Sequence, residues 1–168
     1  HCAGYRIRNR ETQILLEAGP SILTQLKARQ QDMAAIDGVA LSHLHGDHFA
    51  GLPFLLLEYE HQTIRDRPFV ILGPPGTEKR VRQLLDILYW ESRGREFSFP
   101  LRFIEMNQGS ETEIGGFRLT SFQVPHQKTE VSLGYRVSGD GQQLVFSGDT
   151  PWTEKLLWES ENADLLLC

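Results

Sequence analysis

The 168-residue chain predicts an α/β fold in which two packed sheets are flanked by helices. Three observations lead there. Apolar strand-like runs alternate with amphipathic runs as far as Glu105, and a β-rich stretch with tight-turn signals follows. Between them lies Ser42-His43-Leu44-His45-Gly46-Asp47-His48, a strand-to-helix loop on which half of the chain's six histidines fall.

Taken in order, Tyr5–Arg8 and Gln13–Leu16 read as strands joined by the polar turn Asn9-Arg10-Glu11. Ser21 is expected to cap a helix from Ile22 to about Gln31, with Ile22, Leu23 and Leu26 on one face. Ile36–Leu41 is the next strand. Phe49–Glu60 reads as one apolar helix with Pro53 in its first turn, where proline is tolerated. After a polar connector, Gln62–Pro68, the uninterrupted apolar run Phe69–Leu72 suits a strand buried on both faces. Gly73-Pro74-Pro75-Gly76 turns into a helix whose Val81, Leu84, Leu85 and Leu88 repeat at i, i+3, i+4 and i+7. Glu91–Pro100 reads as a loop and Leu101–Glu105 as a strand. Gly115-Gly116 precedes a strand over Phe117–Val124. Val131–Val137 and Gln143–Phe146 form a hairpin about Gly139-Asp140-Gly141. Thr150 and Pro151 are expected to open a helix through Glu161, and Asp164–Cys168 begins another strand.

Composition narrows the function. A net charge of −5 argues against a general polyanion binder. Cys2 and Cys168 make no disulfide framework, which points to a reducing, cytoplasmic compartment. No apolar run reaches the roughly 20 residues needed to span a membrane. One domain over residues 1–168 is expected. The chain opens without Met and stops within Leu165-Leu166-Leu167-Cys168, so a fragment missing its C-terminal part is expected.

Metal chemistry explains the histidine cluster. Neutral imidazole nitrogens and carboxylate oxygens bind zinc at about 2.0–2.2 Å. A tight loop cannot wrap four adjacent ligands around one ion. In an extended segment alternate residues face the same way. His43 and His45 are thus expected to face one metal, and Asp47 and His48, beyond a tight turn at Gly46, a second. Paired ions about 3.5–4 Å apart are a hydrolytic arrangement.

The run His43-x-His45-x-Asp47-His48 resembles the signature of the metallo-β-lactamase fold hydrolases, whose fold is a four-layer αββα sandwich, here C-terminally incomplete. The family often has an aspartate where Glu17 stands. His126, by itself more often a structural residue than a ligand, stands where the family supplies the first metal's third ligand. Asp149 in Ser147-Gly148-Asp149-Thr150, by itself equally a capping or turn residue, stands where the family's aspartate bridges both metals. His126 followed by Leu133-Gly134-Tyr135-Arg136 is similar to the ribonuclease Z-like phosphodiesterase branch. The family's final second-metal histidine has no counterpart, since neither His1 nor His61 matches it, and His61 reads as solvated. In ribonuclease Z the last strand leads into His-Glu-Ala-Thr. Cys168 stands where that histidine would be.

The resemblance implies a hydrolase using a hydroxide between two Zn2+ ions, with Mn2+ or iron as variants and Asp47 orienting the attack. A small-molecule or nucleotide phosphodiester is the implied substrate, RNA and a homodimer are compatible with it, and no membrane is involved. Ribonuclease Z carries a long arm that grips transfer RNA. No such insertion occurs between Gly76 and Asn107, and Lys79, Arg80, Arg82, Arg93 and Arg95 read there as a solvated face rather than a nucleic-acid track. The alternatives are a thioesterase, lactonase or iron-dependent sulfur dioxygenase on the same fold, or a non-catalytic metal-binding module.

Overall fold

The computed structural model describes residues 3–90, 94 and 96–168. His1 and Cys2 lie outside the described residues, as do Glu91, Ser92, Arg93 and Arg95 of the expected loop.

The first sheet runs β1 (Tyr5–Arg8), β2 (Gln13–Leu16), β3 (Ile36–Ala40), β4 (Phe69–Gly73) and β5 (Leu101–Glu105) in spatial order. β1 pairs antiparallel with β2, and β2 through β5 are parallel. Parallel neighbours need crossovers. These are α1 (Ile22–Ala28), α2 (Gly46–Phe49) with α3 (Leu52–His61), and α4 (Thr77–Leu88). The second sheet has the order β10-β9-β8-β7-β6, from β6 (Glu111–Ile114), β7 (Phe117–Gln123), β8 (Leu133–Gly139), β9 (Gln142–Phe146) and β10 (Leu165–Leu167). α5 (Glu154–Ser160) crosses from β9 to the parallel β10.

Alternation along the strands builds the layers. Leu15, Val39 and Ile71 face outward onto α1, α3 and α4 through Leu26, Leu55, Leu56, Val81 and Leu85. Their neighbours Ile14, Leu16, Ala40 and Leu72 face inward and pack against Leu119, Leu133, Tyr135, Val137 and Phe146 of the second sheet. On that sheet's far side Phe122, Val124 and Val145 meet Leu156 of α5. Helix, sheet, sheet and helix follow in order, so the expected αββα sandwich is the observed architecture.

Several expected boundaries differ. The helix expected over Phe49–Glu60 is two helices, α2 starting already at Gly46. Gly51 between them lies against the chain before α1: a Cβ there would stand 2.2 Å from the Gly19 carbonyl oxygen, and its N–H donates to Ala18 O at 2.8 Å. α1 stops at Ala28, and Gln30 adopts a left-handed φ of 51°; Ser21 occupies the N-cap position but makes no side-chain cap bond. α5 begins later than expected, because Thr153 rather than Thr150 accepts the capping N–H, from Lys155. β6 was not expected at all. Only Ile114 of Glu-Thr-Glu-Ile is buried, so that edge strand lacks an apolar signature, and Gly115-Gly116 proves to be a hairpin turn.

Two contacts fix the loop after β3 between the sheets. Leu133 N–H donates to Ser42 O at 2.8 Å, and the fully buried Tyr135 hydroxyl donates to Leu41 O at 2.7 Å. Tyr135→Phe removes that second tie and leaves a buried carbonyl short of its donor. The expected cost is about 1–3 kcal/mol, read as a fall in Tm of roughly 2–4 °C per kcal/mol for a chain of this size.

Candidate metal centre

Chain segments leaving the ends of β2, β3, β7 and β9 meet at one rim of the sandwich. The first segment carries Glu17, the second His43 to His48, the third His126 and the fourth Asp149. In open α/β sheets this carboxyl end is where ligands gather.

Three imidazoles converge. His43 Nε2 lies 3.0 Å from His45 Nδ1, and His126 Nε2 lies 3.2 Å from the same atom. The three offer one nitrogen each, all within 4.8 Å of one another. His43 is fully buried, and its Nδ1 sits 2.9 Å from Ser42 Oγ. Donation from Nδ1 to that hydroxyl leaves the Nε2 lone pair facing the cluster. Burial, then the neighbouring His48, His126 and His45, pushes the His43 pKa down to about 3, so the ring stays neutral as a metal ligand must.

Beside this trio stands a second group. His48 Nε2 lies 3.4 Å from Asp149 Oδ2 and 3.6 Å from Asp47 Oδ2. Asp149 Oδ2 is also 4.0 Å from His126 Nε2, so its carboxylate stands between the two groups. Asp47 and His48 reach their places on the single turn α2, with His45 at its N-cap. The tight turn expected at Gly46 is instead the start of that helix. Its φ is not positive and a Cβ would meet nothing there. Gly148 is the position where glycine is required: its φ is 59°, and a Cβ would fall 2.5 Å from Ser42 Cβ. That close approach brings Asp149 over the histidine loop.

Behind His48 lies Glu17, which the sequence marked only as a departure from a family pattern. It is fully buried at a left-handed φ of 67°. Its Oε1 accepts the Ser42 N–H at 3.1 Å and stands 3.4 Å from His48 Nδ1. Glu17, His43 and His48 also offer ligand atoms within 4.8 Å. Glu17 faces the far nitrogen of His48, however, while Nε2 faces Asp47 and Asp149, so Glu17 is placed to orient the His48 ring rather than to share an ion with its Nε2. Burial raises the Glu17 pKa, an effect His48 and Ser42 partly offset. For His48 burial alone would lower the pKa, but Glu17, Asp149 and Asp47 outweigh it and hold it above the ordinary value. The signal for Glu17 was a charged residue closing the otherwise apolar run Ile14-Leu15-Leu16.

The donor set fits divalent cations: one trio of neutral imidazoles, and one imidazole between two carboxylates. Next to His126 and Asp149 opens a cavity of about 530 Å³, walled also by Trp152, Leu156 and the free, exposed Cys168. His61 is exposed and is not among the residues that line it.

A family model described as the beta-lactamase superfamily domain matches residues 12–168. A ribonuclease Z of Staphylococcus epidermidis is 29% identical over 123 residues, covering 73% of this chain and 38% of the relative. One from Mycobacterium bovis is 27% identical over 162 residues, covering 91% of this chain and 58% of the relative. Among solved structures, the short form of human tRNase Z superposes with a TM-score of 0.78 at 23% identity, over 98% of this chain and 70% of that one. The chain thus spans between two fifths and three fifths of the curated relatives' length.

Glu17→Gln keeps the shape but replaces the carboxyl group behind His48 with an amide. Outer partners of a metal-binding histidine typically contribute 10–100-fold to affinity. Zinc titration against a chelator should therefore show the His48 group weakened by about that factor and the trio unaffected. In the metal-free protein His43 binds no proton above about pH 3, whereas unfolding restores a pKa near 6.5. The unfolded state takes up the proton first, so His43 subtracts stability as pH falls from about 6.5 toward 3. His43→Gln should flatten that slope in urea unfolding across the range.

Proposed function

The chain belongs to the beta-lactamase superfamily, and on that premise we propose that it carries the metal centre of a two-zinc hydrolase acting on phosphodiester bonds, in the manner of ribonuclease Z. The observation that carries this reading is Asp149, its carboxylate between the His43–His45–His126 trio and His48. His43, His45 and His126 would hold one ion, and Asp47, His48 and Asp149 the other. Bound there, two divalent ions lower the pKa of water and stabilise negative charge on a reacting phosphoryl group.

The chain's own groups do the rest. Asp47, half exposed beside His48, is positioned to accept a proton from the attacking water and to orient it. Glu17 and Ser42 hold the rings of His48 and His43 in the orientations that present Nε2. The cavity beside Asp149, with Trp152 at its wall, gives the leaving portion of a nucleotide or RNA substrate somewhere to lie. Among the described residues no helix is long and apolar enough to cross a membrane, and a cytoplasmic enzyme is the reading we adopt.

The test is turnover of bis-(p-nitrophenyl) phosphate and of an RNA panel by the zinc-loaded full-length protein. Asp149→Ala should release an ion and abolish turnover, and His61→Ala should change little. Asp47→Asn should lower the rate by about 10²–10⁴-fold, the usual contribution of a positioned proton acceptor, while zinc at the trio persists. Wild-type turnover by Asp149→Ala with both ions retained would overturn the two-metal reading. Turnover of thioesters or lactones with none of phosphodiesters would move the protein to another branch of the superfamily.

A further inference from the structure

We propose that Arg80 and Glu130 form a clamp that sets the spacing of the His43–His45–His126 trio, a positioning role that rests on reading the trio as a metal site. Arg80 is the fourth residue of α4, on a helix face whose sequence reads as solvated. Its neighbour Arg82 behaves that way, pairing with Glu78 one turn back at 2.8 Å. Arg80 does something else. One nitrogen, Nη1, donates to Leu44 O at 3.1 Å, across 36 positions of sequence. The other, Nη2, donates to the Glu130 carboxylate, 50 positions away.

Both ends matter because of what they adjoin. Leu44 is the residue between His43 and His45. Glu130 lies on the connector from β7 to β8, four residues after His126, and that connector is closed at its base by Val124 N–H donating to Ser132 O at 2.9 Å. One guanidinium therefore joins the two loops that bring the three imidazoles together. Its donors form a rigid planar fork, so two acceptors bound to it are held at a fixed separation, which a flexible ammonium would not impose. Glu130 also neutralises Arg80. Without it an uncompensated positive charge would stand beside a group proposed to take a cation. His126 is partly exposed and lies outside any strand, so its distance to His45 depends on how this connector is tethered.

Both partners are about two-fifths exposed, and exposed ion pairs contribute modestly. The expected change is correspondingly limited, about threefold to tenfold in metal affinity at the trio.

The experiment uses the full-length protein as wild type, Arg80→Ala, Glu130→Gln, the double variant and Arg80→Lys. Affinity for Co2+ and Zn2+ is measured by chelator competition, and the visible Co2+ spectrum reports the geometry at the trio. Each single loss should weaken the trio by that factor and shift its spectrum. The double variant should be no weaker than the worse single one, because the two residues act as a unit. Arg80→Lys, keeping charge but not the fork, should recover affinity only in part. Unchanged affinity and spectrum in both single variants, additive losses in the double variant, or full recovery by lysine would overturn the clamp. His43→Ala and His126→Ala separate this from the underlying reading. If they abolish the trio's share of Co2+ binding, one ion of the two, while Arg80→Ala leaves that share untouched, the clamp alone fails. If they leave that share and its spectrum intact, the trio fails as a metal site and the clamp with it.

Discussion

The rim of the sandwich depends on one buried carboxylate. Glu17 follows β2 directly, with no exposure to solvent, and its Oε2 has no hydrogen-bond partner. Burial works against ionising such a carboxylate and raises its pKa. Partial compensation comes from the Ser42 N–H and from His48, the first and last residues of the histidine run. One side chain thereby ties both ends of that run to the core. The left-handed backbone at Glu17 suits the same role, because it turns the chain out of the sheet while Glu17 N–H still donates to Ala40 O at 3.0 Å.

From that anchor the remaining geometry follows in steps. The loop after β3 passes between the sheets, held by Leu133 N–H and the Tyr135 hydroxyl on the opposite one. Space there is so limited that Gly148 and Gly51 cannot carry side chains without displacing main-chain or Ser42 atoms. Close approach of backbones is what lets residues from four connections meet within a few ångströms. The core sets the precision of the site, consistent with interiors packed as densely as organic crystals.

Much of this was legible in the sequence, and the illegible parts share a physical cause. Periodicity marked the parallel strands and α4 because burial on one or both faces writes a repeating pattern, as at Phe69–Leu72 and at Val81 and Leu85, although Leu88 at the end of the α4 repeat is exposed. β6 wrote none, having one buried residue in four. The break at Gly51 was hidden because its cause is a contact with Gly19, distant in sequence. The histidine run announced itself by density and spacing. His126 and Asp149 could be assigned only beside it, since a lone histidine or aspartate after a strand has several uses. Glu17 and Arg80 were undervalued for the same reason: their partners, His48 and Ser42 for the one and Leu44 and Glu130 for the other, are distant in sequence and meet them only once the chain has folded.

The arrangement also has an electrostatic logic. Around His48 stand Glu17 on one side and Asp47 and Asp149 on the other, three carboxylates near four imidazoles of which His43 is held neutral by burial. In the trio, ring nitrogens face one another at 3.0 and 3.2 Å, three donor atoms converging on one point. His48 meets the opposite condition, its pKa raised because three carboxylates favour its charged form. A divalent cation at each group would relieve both, accepting the trio's lone pairs and supplying beside His48 the positive charge that its carboxylates favour. The trio contains a buried ring held neutral, whereas the surroundings of His48 favour its charged form. The two groups are thus electrostatically unequal, and on the proposed reading the trio is the better prepared for a cation.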